Sequence, residues 1–67
     1  MSVARVTEIT SASRTSFEDA INVGIARAEQ TLRNLSGAWI QNMKVESVEG
    51  KIVEYRVNMK VTFVLDA

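Results

Sequence analysis

The chain has 67 residues, and its eight basic and eight acidic side chains give a formal net charge of zero at neutral pH. This balance argues against nucleic-acid binding, which usually needs a basic excess to replace the counterions of the phosphate backbone. Cysteine and histidine are both absent, which excludes disulfides, thiolate metal sites and the commonest transition-metal ligand.

The length predicts one domain spanning residues 1–67. A domain this small buries only roughly 60% of the surface of its unfolded chain, so its core alone gives marginal stability. Because disulfides are excluded, self-association is the expected source of additional stability. No apolar run approaches the roughly 20 residues that span a bilayer, and the N-terminus lacks the apolar segment of a secretory signal. A cytoplasmic protein without membrane contact is therefore expected.

The first half of the chain predicts a strand and a helix. Val3–Thr10 is rich in β-branched residues and indicates a strand, and Ser11–Ser16 is polar and indicates a loop. Thr15 lies three residues before Glu18, the spacing of a capping box, and Ser16 is an alternative N-cap. Apolar residues at 17, 21, 24/25, 28, 32 and 35 predict a helix from Phe17 to Leu35.

Two glycines have specific roles in this prediction. Gly24 lies inside the helix, where glycine costs about 1 kcal/mol relative to alanine, and close approach of the helix to a sheet would offset this cost. Gly37 is the expected left-handed cap after the helix.

The second half predicts two long strands, Ala38–Val48 and Lys51–Leu65, joined by a two-residue turn at Glu49–Gly50. The last strand alternates apolar and polar residues, which predicts one buried face. The element order is β-α-β-β, of the α+β class. Because the helix carries the chain back, an antiparallel three-stranded sheet needs the third strand in its centre, in the order 1-3-2.

The turn predicts where the single tryptophan points. Antiparallel pairing from Val48 with Lys51 gives three further pairs: Met43 with Arg56, Gln41 with Asn58 and Trp39 with Lys60. Paired residues share a face, so Trp39 would lie on the polar face, away from the helix. A one-residue bulge would instead place Trp39 in the core. An exposed indole beside amide and guanidinium groups is suited to a flat aromatic ligand.

The ordered set of features resembles the dodecin family. The set comprises the β-α-β-β order, the helix phrase G-I-A-R-A-E-Q-T-L-R-N-L (24–35), the tryptophan soon after it, and the ending E-Y-R-V-N-M-K-V-T-F-V-L-D (54–66). The resemblance implies a sheet wrapped around one helix, a hollow cytoplasmic homododecamer, and paired flavins (riboflavin, FMN or FAD) between subunits. It also implies storage, sequestration or photoprotective quenching of flavin rather than catalysis.

The resemblance assigns three cofactor-binding residues and contains two departures. Trp39 matches the tryptophan that stacks on the flavin, after a shift of two residues. Arg56 stands at the position of the family's glutamine, and it donates hydrogen bonds but cannot accept them. Gln41 stands where an acidic residue is common. Some family members share this arginine, lack the tryptophan and are associated with calcium.

Two functions from different classes therefore remain open. In the first, a homododecamer binds flavin through Trp39, Gln41 and Arg56. In the second, a shell of the same fold binds no flavin, Trp39 packs against a neighbouring subunit, and the role is structural or involves calcium. No site of defined metal-ligand spacing and no catalytic serine motif is present, so neither a specific metal site nor an enzyme is predicted.

Overall fold

The computed structural model describes residues 3–65. It contains the strand β1 (Ala4–Ser13), the helix α1 (Phe17–Glu29) and the strands β2 (Leu35–Val48) and β3 (Lys51–Val64). The sheet is antiparallel, with β3 between β1 and β2. The predicted α+β class, element order and strand order are therefore confirmed. Within the described residues, no helix is long and apolar enough to cross a membrane.

The core lies between α1 and the central strand. Ala20 of α1 is completely buried, as are three apolar residues of β3: Val57, Met59 and Val61. Successive side chains of a strand point to opposite faces, so the intervening residues lie on the face turned away from α1. That face, called the outer face below, carries three polar residues of β3: Arg56, Asn58 and Lys60.

Gly24 lets the helix approach the sheet closely. A Cβ atom at this position would lie 2.8 Å from Cε of Met59 and 3.0 Å from Cβ of Ser11. Both separations are shorter than ordinary van der Waals contact, so a side chain here would require Met59 to change its conformation or α1 to move away from β1 and β3. The predicted role of Gly24 is confirmed.

The segment before the helix differs from the prediction, because β1 continues to Ser13 instead of ending at Thr10. The Ser13 hydroxyl donates to Oδ2 of Asp19 at 2.6 Å and accepts from the Thr15 amide at 2.9 Å, which joins the strand end to the helix start. The N-cap is Ser16 rather than Thr15, since Ser16 Oγ accepts from the Asp19 amide at 2.9 Å.

The helix also ends earlier than predicted, at Glu29 rather than Leu35. The Ala28 carbonyl accepts from the amides of both Thr31 and Leu32, at 3.2 and 2.9 Å, which closes the last turn. Asn34, at a φ of 58°, then takes the left-handed conformation that was expected of Gly37. Leu32 and Leu35 lie after the helix but pack against the same core. Their apolar spacing therefore resembles a continuation of the helix.

The hairpin turn has the predicted length. Glu49 and Gly50 have φ values of 52° and 78°, the positive values that a type I′ turn requires, and Val48 pairs with Lys51. Farther along the hairpin the register is displaced by one residue, because Val53 of β3 has no cross-strand partner in it. The predicted pairs of Gln41 with Asn58 and Met43 with Arg56 are therefore wrong.

A second irregularity reverses this displacement. Between Ile40 and Asn42 the extra residue is Gln41, on β2. Because each strand now carries one extra residue, the two displacements of the register cancel, and Trp39 pairs with Lys60 as predicted. A third irregularity, between Leu35 and Gly37, places Gly37 inside β2 rather than at a helix end.

The helix is too short to cover the hairpin. Its 13 residues span about 20 Å at 1.5 Å per residue, whereas the 14 residues of β2 span roughly 46 Å. α1 lies over β1 and β3 and scarcely reaches β2. The helix-side residues Ile40, Met43 and Val45 of β2 are consequently 38–49% exposed.

Replacing Gly24 with alanine should destabilise the protein by about 1–2 kcal/mol, because overpacking exceeds the helix-propensity gain. Met59→Leu removes the Cε atom that the new methyl group meets, so the double variant should lose less stability than the sum of the two single variants. Denaturant unfolding at one fixed protein concentration measures both effects. A Gly24→Ala variant as stable as the parent would show that Met59 and α1 accommodate the added methyl group without cost.

Replacing Glu49 with asparagine should raise the free energy of unfolding by about 0.5–1 kcal/mol, since asparagine tolerates the left-handed conformation better than glutamate does. Glu49→Gln is the matched control, because it removes the same charge but keeps the unfavourable backbone preference. Thermal unfolding monitored by circular dichroism distinguishes them. Equal gains in both variants would assign the effect to charge rather than to the turn.

Candidate functional site

Trp39 lies on the outer face of the sheet. It pairs with Lys60 and its side chain is 61% exposed, although it is the largest apolar residue of the chain. The core of this chain therefore does not contain the indole, and the predicted exposed position is confirmed. Tryptophan is enriched at interfaces, where its ring packs against a partner, so Trp39 is a candidate contact for a ligand or another chain.

The outer face is organised in three successive rows, each running from β1 through β3 to β2. The rows contain Ala12, Arg56 and Lys44; then Thr10, Asn58 and Asn42; then Glu8, Lys60 and Trp39. The middle row is neutral and consists entirely of hydrogen-bonding side chains. Charged groups occupy the rows on either side, and the indole adjoins the middle row.

A groove of about 490 Å³ lies over the first two rows. Its lining residues are Thr10, Asn42, Met43, Lys44, Arg56 and Asn58. Ligand pockets typically measure about 300–1,000 Å³, so the groove has the size for a small organic molecule. One wall carries hydroxyl and amide groups and the end nearer the hairpin carries cations, which suits a polar aromatic ligand.

Arg56 is held by carboxylates at the hairpin end of this groove. Its Nε lies 2.6 Å from Oε1 of Glu54 and 3.7 Å from Oε1 of Glu46, while Nζ of Lys44 lies 3.0 Å from the same Glu46 oxygen. The hydrogen bond to Glu54 and the charge of that carboxylate raise the pKa of Arg56. The hydrogen bond from Lys44, with the charge of that ammonium, lowers the pKa of Glu46.

These ion pairs orient side chains more than they stabilise the fold, because all four groups are partly exposed to water and exposed pairs contribute little to stability. The charges of the two cations and the two carboxylates cancel. Because Glu54 accepts from Nε of Arg56, that donor is not available to a ligand in the groove. Its terminal amino groups supply the remaining donors.

Of the three candidate residues only Arg56 lines the groove, whereas Trp39 lies in the adjoining row and Gln41 is also outside the lining. Gln41 is the extra residue of the β2 irregularity, and Asn42 occupies the position opposite Asn58. Sequence reasoning missed Asn42 because it assumed one continuous register. A signal was present, since the apolar residues of β2 change parity between Ile40 and Met43.

A second groove, of about 550 Å³, lies on the helix side between α1 and β1. Its walls include Ile9, Val23 and Leu32, and none of the three predicted site residues lines it. Within residues 3–65, no group of three or more carboxylate, imidazole or thiol side chains is placed to hold a metal ion. The outer face is therefore the candidate site that combines an exposed aromatic ring with directional polar groups.

Comparison with known proteins identifies the family. The dodecin family model matches residues 3–66. The structure resembles the dodecin of Streptomyces davaonensis, with 38% identity, coverage of 98% of this chain and 97% of that chain, and a TM-score of 0.93. A variant of the Thermus thermophilus dodecin has 30% identity, full coverage of both chains and a TM-score of 0.93. The dodecin of Streptomyces coelicolor has 27% identity, coverage of 98% and 94%, and a TM-score of 0.92.

No protein among the curated sequences matches significantly. The family model and the solved structures agree with each other over nearly the whole chain. Dodecins are flavin-binding proteins without enzymatic activity, so the expectation that this chain is not an enzyme is confirmed by its family. The chain belongs to the dodecin family.

Proposed function

We propose that this protein binds riboflavin, FMN or FAD on its outer face and stores, sequesters or photochemically quenches the flavin without transforming it. The observation that carries the proposal is the indole of Trp39, 61% exposed beside a groove lined by amide, hydroxyl and cationic groups. Trp39, Gln41 and Arg56 are the proposed contacts. Dodecin-family membership supports the same class of ligand.

The residues on this face fit a flavin. An indole stacked on an aromatic ring contributes about 0.5–1.5 kcal/mol beyond the area that it buries. The Arg56 guanidinium has five N–H donors and Glu54 occupies the one on Nε, so donors remain for ring carbonyls or a phosphate. Gln41, exposed at the β2 irregularity, extends the polar surface next to Trp39.

We propose further that the protein is a cytoplasmic homododecamer that binds its flavins between subunits. Self-association is supported by the apolar surface that one chain leaves uncovered. Five apolar residues form the buried core, whereas eleven large apolar residues among the described ones are at least 38% exposed. Four of these, Met43, Val45, Ile52 and Val53, lie on the hairpin beyond the reach of α1. A second chain packed on this surface would bury it.

A second candidate follows from the same exposure of Trp39. In a dodecin-fold shell that binds no flavin, the indole would pack against a neighbouring subunit, and the shell would have a structural or calcium-related role. The two candidates differ in the property that requires the Trp39 ring. Flavin binding requires the ring in the first candidate, and subunit assembly requires it in the second.

Replacing Trp39 with alanine should weaken riboflavin and FMN binding by about tenfold or more while the assembly stays intact, because stacking of a heteroaromatic ring on an aromatic side chain contributes about 1–3 kcal/mol. Quenching of flavin fluorescence measures the affinity, and size-exclusion chromatography measures the assembly. Ile40→Ala is the matched control, since Ile40 is the next residue of β2 and points to the opposite face. A parent protein that does not quench flavin, together with a Trp39→Ala variant that forms a smaller particle, would favour the shell without flavin.

Replacing Arg56 with glutamine should tighten flavin binding by about two- to tenfold, because a carboxamide both donates and accepts hydrogen bonds whereas a guanidinium only donates. The same titration with riboflavin measures the change without a phosphate contribution. Arg27→Gln removes an equal charge from the helix side and should leave the affinity unchanged. Unchanged or weaker binding in Arg56→Gln would show that the arginine is not a defect in the site.

A further inference from the structure

The middle row of the outer face contains an oriented amide. The Thr10 hydroxyl on β1 donates to Oδ1 of Asn58 on β3 at 2.5 Å. A carboxamide is planar, with an oxygen that accepts and an amino group that donates. Because Oδ1 is bonded to Thr10 of β1, the Nδ2 group of Asn58 remains the donor that this side chain offers to a molecule in the groove that it lines.

A second amide faces this donor from the other side. Asn42 pairs with Asn58 across β2 and β3, and both residues line the groove. Within residues 3–65 the Asn42 side chain has no hydrogen-bond partner, and it is exposed. It can therefore present its carbonyl as an acceptor or its amino group as a donor to a molecule in the groove.

Arg56 cannot supply the same chemistry. Its guanidinium has no acceptor, and Glu54 and Glu46 hold it toward the hairpin end of the groove. An aromatic ring whose edge alternates carbonyl oxygens with an N–H group needs both donors and an acceptor. Across the middle row, Asn58 supplies donors and Asn42 supplies the acceptor.

We propose that Asn58 and Asn42 together bind the imide edge of a heteroaromatic ring stacked on Trp39, and that Thr10 positions Asn58 for this contact. The inference rests on the proposed function and identifies the residues that confer ligand specificity at that site. Asn58 Nδ2 donates to a ring carbonyl, and Asn42 Oδ1 accepts from the ring N–H. Thr10 contributes through the orientation of Asn58.

The test compares lumiflavin with N3-methyllumiflavin, because the two differ only in the N–H of the imide edge and carry no ribityl or phosphate group. The full chain is titrated with each by fluorescence quenching, and the ratio of the two affinities is the measured quantity. The wild type should prefer lumiflavin by about two- to tenfold, the range expected of one hydrogen bond. Asn58→Leu and Asn42→Leu should bring the ratio close to one.

Thr10 is tested through its dependence on Asn58. Thr10→Val should lower the ratio, and Thr10→Ser, which keeps the hydroxyl, should restore it. Adding Thr10→Val to Asn58→Leu should have no further effect, since the two residues act as one unit. Thr62→Val, on the outer face beyond the Trp39 row, should leave the ratio unchanged. Trp39→Phe should weaken both ligands by a similar factor and keep the ratio.

The outcomes separate this inference from the proposed function. A wild type that binds none of lumiflavin, riboflavin and FMN overturns the proposed function and the inference together. A wild type that binds riboflavin or FMN but not lumiflavin overturns the inference alone, since the ring contacts would then not support binding. A wild type that binds lumiflavin, with asparagine variants that fold and keep the parental ratio, overturns the inference alone. Circular dichroism and size-exclusion chromatography establish that each variant folds and assembles as the parent does.

Discussion

The close contact between α1 and the central strand determines what the rest of the molecule can do. Gly24 brings the helix so near β3 and β1 that a single methyl group would collide with Met59 and Ser11. The helix therefore covers one face of the sheet and leaves the other to the polar residues of β3. The proposed contacts Trp39, Asn42, Asn58 and Arg56 lie on that second face, which the core does not use.

The difference in length between helix and hairpin has a second consequence. About 20 Å of helix cannot cover strands of roughly 46 Å, so part of the apolar face of β2 stays open and the molecule is elongated, at 52 × 19 × 14 Å. The uncovered apolar surface favours association of copies of the chain, consistent with its family.

The two compensating irregularities of the hairpin decide the detailed chemistry of the outer face. Val53 is added to β3 and Gln41 to β2, so between Gly37 and the turn the register differs from the simple one only in the interval between these two residues. In that interval Asn42 takes the place opposite Asn58 that an uninterrupted hairpin would give to Gln41. Trp39 lies beyond the second irregularity and keeps its predicted partner. The aromatic and amide parts of the site thus depend on different features of the strands.

The sequence by itself determined the element types, the strand order, the buried face of β3, the turn and the face of Trp39. The element types and the buried face of β3 follow from periodicity summed over many residues, so one local irregularity does not erase them. The face of Trp39 agrees with the prediction because two irregularities cancel. Only the tertiary structure decided that the helix ends at Glu29, that Gln41 gives way to Asn42, and that Thr10 orients Asn58. The reason is that a helix end, a bulge and a cross-strand hydrogen bond each depend on partners distant in the chain, which local patterns do not contain.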